Sequence, residues 1–198
     1  RCGFVAIAGL PNTGKSTLMN ALVGEKVAAV SPKAQTTRRR IRGILSKEGY
    51  QIVFSDTPGL IRPAYLLQEK MMGYVRAAML DADVFLLVAD AKDEAEEYIG
   101  TAEDDDFGGV RLFSSRSLMR ALTPSGKPVI IVLNKADTVR QEELENTIEQ
   151  WRKEIKAHAA KANVCGLIPV SAKHRFNLDA LLGFLVPELP DSPSFFPE

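Results

Sequence analysis

Cysteine, surplus charge of either sign and long hydrophobic runs are all scarce in this sequence of 198 residues. The 2 cysteines, Cys2 and Cys165, lie far apart, so we expect no disulfide framework and two thiols in a reducing compartment. The 25 Lys and Arg residues balance the 25 Asp and Glu residues, which gives no electrostatic indication of a nucleic acid or membrane partner. No run approaches the roughly 18 apolar residues of a membrane-spanning helix, so no membrane segment is expected.

What the sequence does contain is a glycine loop of the phosphate-binding type. Residues 9–17 (GLPNTGKST) match the pattern Gly-x4-Gly-Lys-[Ser/Thr] and lie between an apolar run and leucines at helical spacing. The backbone N–H groups of such a loop converge on nucleotide phosphates at the positive end of the following helix. The residues expected to line the phosphates are Asn12, Thr13, Gly14, Lys15, Ser16 and Thr17. Lys15 would reach the β- and γ-phosphates as a catalytic group, and the Ser16 hydroxyl would bind Mg²⁺. The alternative is an ordinary glycine turn.

A second part of the predicted phosphate site follows the apolar strand at residues 51–56. Asp56 ends this strand and would hold Mg²⁺, usually through water. Gly59 has no side chain, so its N–H group can approach the γ-phosphate. Residues 56–59 (DTPG) form a common turn sequence and would be weak evidence alone. Placed after a phosphate loop, they indicate a sensor of the metal and the γ-phosphate.

Residues 134–137 (NKAD) follow another apolar run and resemble the guanine-recognition motif of GTPases. Guanine presents two donors on one edge, N1–H and the 2-amino group, and the Asp137 carboxylate can accept both. Adenine would leave a buried carboxylate unpaired, which disfavours it on the order of 10⁴-fold. Asn134 would tie this loop to the phosphate loop, and the stem of Lys135 would lie along the base. The alternative role of Asp137 is to cap a helix that begins near residue 141.

The tripeptide Ser171, Ala172 and Lys173 resembles the last GTPase motif, in which the Ala172 N–H group would donate to guanine O6. Three residues are not specific alone, but these stand after an apolar strand and before a leucine-rich helix. The 2 histidines, His158 and His174, belong to no acid–nucleophile constellation in the sequence, and each is expected to be a surface residue on or near a helix.

Apolar runs and helical spacings predict an α/β fold. The predicted strands are residues 4–8, 39–46, 51–56, 84–89, 128–133 and 166–170, and the predicted helices are residues 15–23, 65–80, 116–122, 141–161 and 177–185. Their alternation predicts a mostly parallel six-stranded sheet with helices on both faces, the P-loop GTPase fold. The short turn at residues 47–50 makes the second strand an antiparallel edge strand. The predicted binding motifs fall at carboxyl ends of strands, where open α/β sheets bind ligands.

As a set, these motifs look like those of a translation-factor-type GTPase. Residues 33–44 (KAQTTRRRIRGI) narrow the resemblance to the Era family, within the TrmE-Era-EngA-like group, and residues 81–84 and 187–198 resemble it as well. The resemblance implies a GTP/GDP switch with slow GTP hydrolysis that acts in assembly of the small ribosomal subunit. It also implies that Thr37 completes the Mg²⁺ shell in the GTP state. The neighbouring Thr36 stays open as an alternative ligand in that position.

The resemblance also predicts how the chain is organised. Residues 1–190 would be the GTPase domain, and residues 191–198 would begin a linker to an rRNA-binding KH domain that lies outside this chain. The expected partners are a guanine nucleotide and, for the longer protein, the small ribosomal subunit and its rRNA; a monomer is expected. The chain starts close to its first predicted strand, so any targeting segment would have been lost. The expected location is the cytoplasm or the matrix of a mitochondrion or chloroplast.

The position after the DTPG turn is Leu60, where Ras-like enzymes carry the glutamine that orients the attacking water. An apolar side chain cannot orient water, so we expect slow hydrolysis unless another group or ion assists. Relatives with Pro-Asn at this place in the phosphate loop use the asparagine to hold K⁺ beside the phosphates, which makes Asn12 a candidate catalytic residue by resemblance. The alternative is that Asn12 is a plain turn residue.

Two segments have competing interpretations. The acidic stretch at residues 93–109 is expected to be a solvated surface insertion, with a partner site as the alternative. The arginines at residues 38–40, with Arg42, fit either a solvated edge strand or an RNA contact. Two functional alternatives also stay open: another K⁺-responsive ribosome-assembly or tRNA-modification GTPase, and a binding switch with negligible hydrolysis of its own.

Overall fold

The structure is a computed structural model, and it describes residues 1–10, 12–24, 41–56, 81–92, 114–158 and 163–196. Strands and α-helices alternate along these ranges. In chain order they are β1 (Cys2–Gly9), α1 (Lys15–Val23), β2 (Ile41–Lys47), β3 (Tyr50–Asp56), β4 (Val84–Asp90), α2 (Ser115–Leu122), β5 (Val129–Asn134), α3 (Gln141–His158), β6 (Val164–Pro169) and α4 (Leu178–Leu185). Short 3₁₀ turns lie at Thr123–Ser125, Ala136–Thr138 and Val186–Glu188.

The strands form a single mixed sheet. Its order is β2-β3-β1-β4-β5-β6, with β2 antiparallel to β3 and every other neighbouring pair parallel. This confirms the predicted six-stranded sheet with one antiparallel edge. The central strands β4 and β5 are continuous apolar runs because a parallel sheet is covered on both faces.

Alternate side chains of the strands pack on opposite faces of the sheet. On one face, Val84, Leu86 and Val88 of β4 lie in a core cluster with apolar residues of α1 and α4. On the other face, Phe85 and Leu87 of the same strand lie in a second cluster with α2 and the fully buried Trp151 of α3. The expected helices on both faces are therefore confirmed. The sheet lies between two apolar clusters, and this packing fixes the positions of its strand ends.

Several predicted boundaries shift by one or two residues, for identifiable reasons. β1 starts at Cys2 because Cys2 and Gly3 pair with the beginning of β3. α2 starts at Ser115 because the Ser114 side chain accepts the N–H of Ser117 as its N-cap. α4 starts at Leu178 because Asn177 has a left-handed backbone, with φ of 60°. The predicted helix at residues 65–80, the last residues of the one at 141–161 and the segment 93–109 lie outside the described residues.

The C-terminal residues of the described chain are held at the start of β3 by Gln51, which is 1% exposed. Its amide oxygen accepts the N–H groups of Phe195 at 2.9 Å and Phe196 at 3.0 Å. Its amide nitrogen donates to the Ser46 hydroxyl at 2.9 Å and to the Phe196 carbonyl at 3.0 Å. A buried amide with all of these partners fixes the path of residues 191–196 along the start of β3.

Both cysteines are free thiols, as expected from their spacing. Within the described ranges, none of the helices is both long and apolar enough to span a lipid bilayer.

Candidate functional site

The phosphate loop leaves the carboxyl end of β1 and leads into α1, and its geometry demands the two motif glycines. A Cβ atom on Gly9 would lie 2.4 Å from the Val88 carbonyl oxygen of the neighbouring strand. A Cβ atom on Gly14 would lie 2.3 Å from the Asn134 amide nitrogen, and Gly14 has φ of 89°. Both distances are too short for any side chain, and the left-handed backbone of Gly14 also disfavours one. The glycines thus let β1, β4 and the Asn134 side chain approach the loop closely.

The Lys15 ammonium lies across this loop. It donates to the Gly9 carbonyl at 3.0 Å and to the Leu10 carbonyl at 2.7 Å, and the Thr13 hydroxyl donates to Leu10 at 2.9 Å. Thr13 is buried, whereas Ser16 and Thr17 are exposed on the first turn of α1. The positive end of α1, the ammonium and the exposed hydroxyls therefore share one side of the loop, the arrangement that an anionic ligand requires.

The magnesium side of the predicted site is only partly described. Asp56 ends β3, and its Cα pairs across the sheet with Ile7 near the end of β1, which brings the strand end of Asp56 beside the phosphate loop. Hydroxyl and carboxylate oxygens such as those of Ser16 and Asp56 are the ligand types that Mg²⁺ takes in proteins. Thr37 and Gly59, like Thr36 and Leu60, lie outside the described residues, so their assigned roles stay predictions.

Asn134 joins the phosphate loop to the second half of the site. It ends β5 and is 2% exposed. Its amide nitrogen donates to the Thr13 carbonyl at 2.9 Å, and its amide oxygen accepts the Ala172 N–H at 3.0 Å. The first contact is the tie to the phosphate loop that the sequence predicts. The second links the same side chain to the tripeptide at residues 171–173, so one buried amide holds three loops together.

Asp137 lies in the 3₁₀ turn Ala136–Thr138, just beyond the left-handed Lys135 with φ of 63°. The Ser171 hydroxyl donates to its Oδ1 at 2.7 Å. This hydrogen bond, helped by the charges of His174 and Lys173, lowers the pKa of Asp137 below the ordinary value of 3.8, although partial burial opposes the shift. At neutral pH the side chain is therefore a carboxylate, an acceptor fit for two donors on one edge of a base.

The alternative role of Asp137, capping the helix that follows, does not match the observed contacts. The carboxylate of Asp137 bonds to Ser171 and lies near His174. At the start of α3 the Glu143 side chain accepts the Arg140 N–H at 3.2 Å, which is one half of a capping box.

Asp90 was not expected as part of the site. The Lys135 ammonium lies 2.9 Å from Asp90 Oδ2, and it also donates to the Asn12 carbonyl. Lys135 therefore bridges the end of β4 to the phosphate loop, and Asn12 itself is exposed with a left-handed φ of 63°. An acid at the carboxyl end of an apolar strand was the signal that identified Asp56, and the same signal in β4 would have identified Asp90.

The histidines differ from each other in their surroundings. Both lie at or near the surface, as expected. His158 Nε2 lies 3.2 Å from Glu154 Oε1, one turn earlier on α3, far along the chain from the motif residues. His174 Nε2 lies 3.4 Å from Asp137 Oδ2, against the acceptor predicted to read guanine. Sequence reasoning missed this contact because the two residues lie on different loops.

Comparison with known families and proteins identifies close relatives. The sequence model of a family described as "50S ribosome-binding GTPase" matches residues 4–135. GTPase Era of Heliobacterium modesticaldum is 40% identical over 197 residues, covering 100% of this chain and 58% of that protein. The chloroplastic GTPase ERA1 of Zea mays is 37% identical over 199 residues, covering 100% of this chain and 43% of that protein.

A solved structure gives the same indication. Era in complex with MgGDPNP and nucleotides 1506–1542 of 16S ribosomal RNA superimposes with a TM-score of 0.70 at 34% identity, over 100% of this chain and 60% of that one. The match covers the whole sheet with its flanking helices and loops, and the chain spans less than two thirds of the length of the Era proteins that it matches.

Proposed function

This chain belongs to the Era-type GTPases of the family described as 50S ribosome-binding GTPases, and from that premise we propose that it binds GTP or GDP with Mg²⁺ and hydrolyses GTP to GDP and phosphate. In the longer protein, we propose that this switch acts on the small ribosomal subunit and its rRNA. The family description refers to the 50S subunit, but the solved Era complex contains 16S rRNA, and the proposal follows this narrower match.

The proposal extends to the organisation of the protein. Residues 1–190 would be the GTPase domain and residues 191–198 the start of a linker, with residues 93–109 as an acidic surface insertion. The protein would act as a monomer in the cytoplasm or in an organelle matrix, since its relatives include bacterial and chloroplastic proteins.

The observation that carries the proposal is the pair of hydrogen bonds made by Asn134. A phosphate loop alone is compatible with many nucleotides. Here the Asn134 amide, which belongs to the guanine-recognition motif at residues 134–137, holds the phosphate loop through Thr13 and the tripeptide at residues 171–173 through Ala172. A buried side chain therefore fixes the two halves relative to each other, and a guanine nucleotide would place its phosphates against one half and its base against the other.

At the guanine end, the Asp137 carboxylate would accept N1–H and the 2-amino group. The Ser171 hydroxyl already holds Oδ1 and keeps the side chain ionised and oriented. The Ala172 N–H and Lys173 would border the base, and Lys135 would support it while bonded to Asp90. The structure leaves the Asp137 side chain 30% exposed rather than buried, as the sequence argument assumed. Adenine has no 2-amino group and carries an acceptor at N1, so it would give this carboxylate no donors, and that loss would be the source of the specificity.

At the phosphate end, the residues from Asn12 to Thr17 would surround the phosphates, and the Lys15 ammonium would exchange loop carbonyls for β- and γ-phosphate oxygens. Ser16, Asp56 and Thr37 would hold Mg²⁺, which would supply positive charge against the negative charge that develops on the phosphate. The Gly59 N–H would contact the γ-phosphate.

For hydrolysis, water would attack the γ-phosphate in line with the leaving GDP oxygen. Leu60 cannot orient this water. Asn12 is therefore proposed to hold K⁺ beside the phosphates, where the ion would stabilise charge in the transition state. Slow intrinsic turnover follows from the lack of a glutamine at the position of Leu60.

The test is single-turnover hydrolysis of GTP by the purified chain with Mg²⁺, with and without small ribosomal subunits. We expect measurable release of phosphate by the wild-type protein and none above background for Lys15→Ala or Ser16→Ala. Lys153→Ala is the matched control, because Lys153 is an exposed lysine on α3 and belongs to none of the predicted nucleotide motifs. Wild-type turnover in Lys15→Ala would overturn the phosphate-loop assignment. Nucleotide binding without hydrolysis would support the alternative of a binding switch.

A further inference from the structure

We propose that His174 is an additional member of the guanine-recognition site and that protonation of its imidazole weakens the binding of guanine nucleotides. This inference rests on the proposed function, since it assigns Asp137 to guanine. His174 directly follows the tripeptide at residues 171–173, and it is not among the residues expected to contact the nucleotide.

The position of His174 is set by a tight turn. Its backbone N–H donates to the Ser171 hydroxyl at 3.3 Å, the same hydroxyl that donates to Asp137. Ser171 and Phe176 exchange two backbone hydrogen bonds, of 3.2 and 3.0 Å, that close the turn. The imidazole thus lies beside Asp137 because the backbone places it there, although the side chain itself is 58% exposed.

The carboxylate of Asp137 has a limited capacity as an acceptor. Its two oxygens offer about four lone-pair sites. Ser171 takes one on Oδ1, and His174 Nε2 lies 3.4 Å from Oδ2. Guanine must use two more of these lone-pair sites, for its N1–H and its 2-amino group. The base and the imidazole would therefore contact the same carboxylate.

Protonation of His174 changes what that carboxylate offers to guanine. Hydrogen bonds to an ionised acceptor are roughly twice as strong as those between neutral groups. An imidazolium next to Oδ2 forms an ion pair and offsets the negative charge that strengthens the bonds to guanine. A neutral imidazole leaves that charge in place. The affinity for guanine nucleotides should therefore fall as the pH falls through the range in which histidine titrates.

Other charged groups near His174 keep their charge over this range. Asp137 faces it from the 3₁₀ turn, and its lowered pKa keeps it ionised. Lys173 and Arg175 flank it on its own loop as cations. Lys135, next along the guanine loop, is paired with Asp90. The change in charge within the guanine site then comes from His174.

The expected effect is modest because the pair is exposed to water. Exposed ion pairs change equilibria by about two- to five-fold. The test is titration of the chain with GDP at constant ionic strength and Mg²⁺, at pH 7.5 and pH 5.5. We expect the Kd of the wild-type protein to rise two- to five-fold more between these pH values than the Kd of His174→Gln, as an order of magnitude. Protonation of GDP phosphates affects all variants alike and cancels in this comparison.

Two further variants sharpen the result. His158→Gln is the matched control, since it removes the other histidine, which pairs with Glu154, and should keep the wild-type pH dependence. His174→Arg carries a permanent charge and should bind GDP more weakly than His174→Gln at both pH values. The inference is overturned if wild type and His174→Gln show the same dependence on pH, or if wild type binds relatively better at pH 5.5. A wild-type chain that binds no GDP at pH 7.5 would overturn the proposed function itself, and this inference with it.

Discussion

Replacement of Asn134 by alanine tests whether one buried amide holds the two halves of the site together. The substitution removes the donor to the Thr13 carbonyl and the acceptor of the Ala172 N–H, at 2.9 and 3.0 Å. It leaves both backbone groups without these partners. Because Asn134 is 2% exposed, water reaches them poorly.

The size of the effect follows from these two groups. Each buried polar group that loses its partner costs about 1–3 kcal/mol, so the free energy of unfolding should fall by about 2–6 kcal/mol. Thr13 and Ala172 lie at the edge of the predicted ligand site, where some water can enter. We therefore expect the loss in unfolding free energy to fall in the lower half of this range. A domain of this kind has a total stability of about 5–15 kcal/mol, so the variant should remain folded at low temperature.

Urea denaturation followed by circular dichroism measures the loss of stability, and GDP titration measures the loss of preorganisation. We expect affinity for GDP to fall at least about 10-fold, which corresponds to about 1.4 kcal/mol spent on bringing the loops together. Asn163→Ala is the matched control: Asn163 is exposed and donates to the Gly126 carbonyl at 3.2 Å, far from the site. A change in unfolding free energy no larger for Asn134→Ala than for this control would refute the role of Asn134.

Three further predictions concern specificity, catalysis and the C-terminal residues. Asp137→Asn should lose affinity for GTP and gain affinity for XTP, whose 2-oxo group accepts from an amide; unchanged GTP binding in a titration would place the guanine site elsewhere. GTP hydrolysis should be faster in KCl than in NaCl at equal ionic strength, and Asn12→Ala should remove the difference. Leu60→Ala should lower the hydrolysis rate by less than the roughly 10²-fold expected when a group that stabilises transition-state charge is lost. Equal rates in both salts would contradict the K⁺ proposal. Gln51→Leu should release residues 191–196 for proteolysis and lower the free energy of unfolding by about 1–3 kcal/mol; protease resistance equal to wild type would show that the anchor lies elsewhere.

The order and type of the described elements could be predicted from sequence because their causes are local. A continuous apolar run such as β5 is buried on both faces wherever it is placed in a parallel sheet. Gly14 is required by its own backbone angle, and the motif pattern predicts it without any other part of the chain. The positions of Gly9, Asp56 and Asn134 at strand ends follow from the same periodicity.

Other features depended on which strands are neighbours, and only the tertiary structure decided them. Asn134 and the Thr13 carbonyl are 121 residues apart in sequence, and they meet because β1, β4 and β5 lie side by side with their carboxyl ends aligned. The contacts of Asp90 with Lys135 and of His174 with Asp137 also form at the carboxyl ends of the strands. Periodicity carries no information on the distance between two side chains on different loops, because that distance is set by strand order, register and the crossover helices. Sequence alone therefore determined which residue types stand at the strand ends, and the packing of the sheet determined which of them touch.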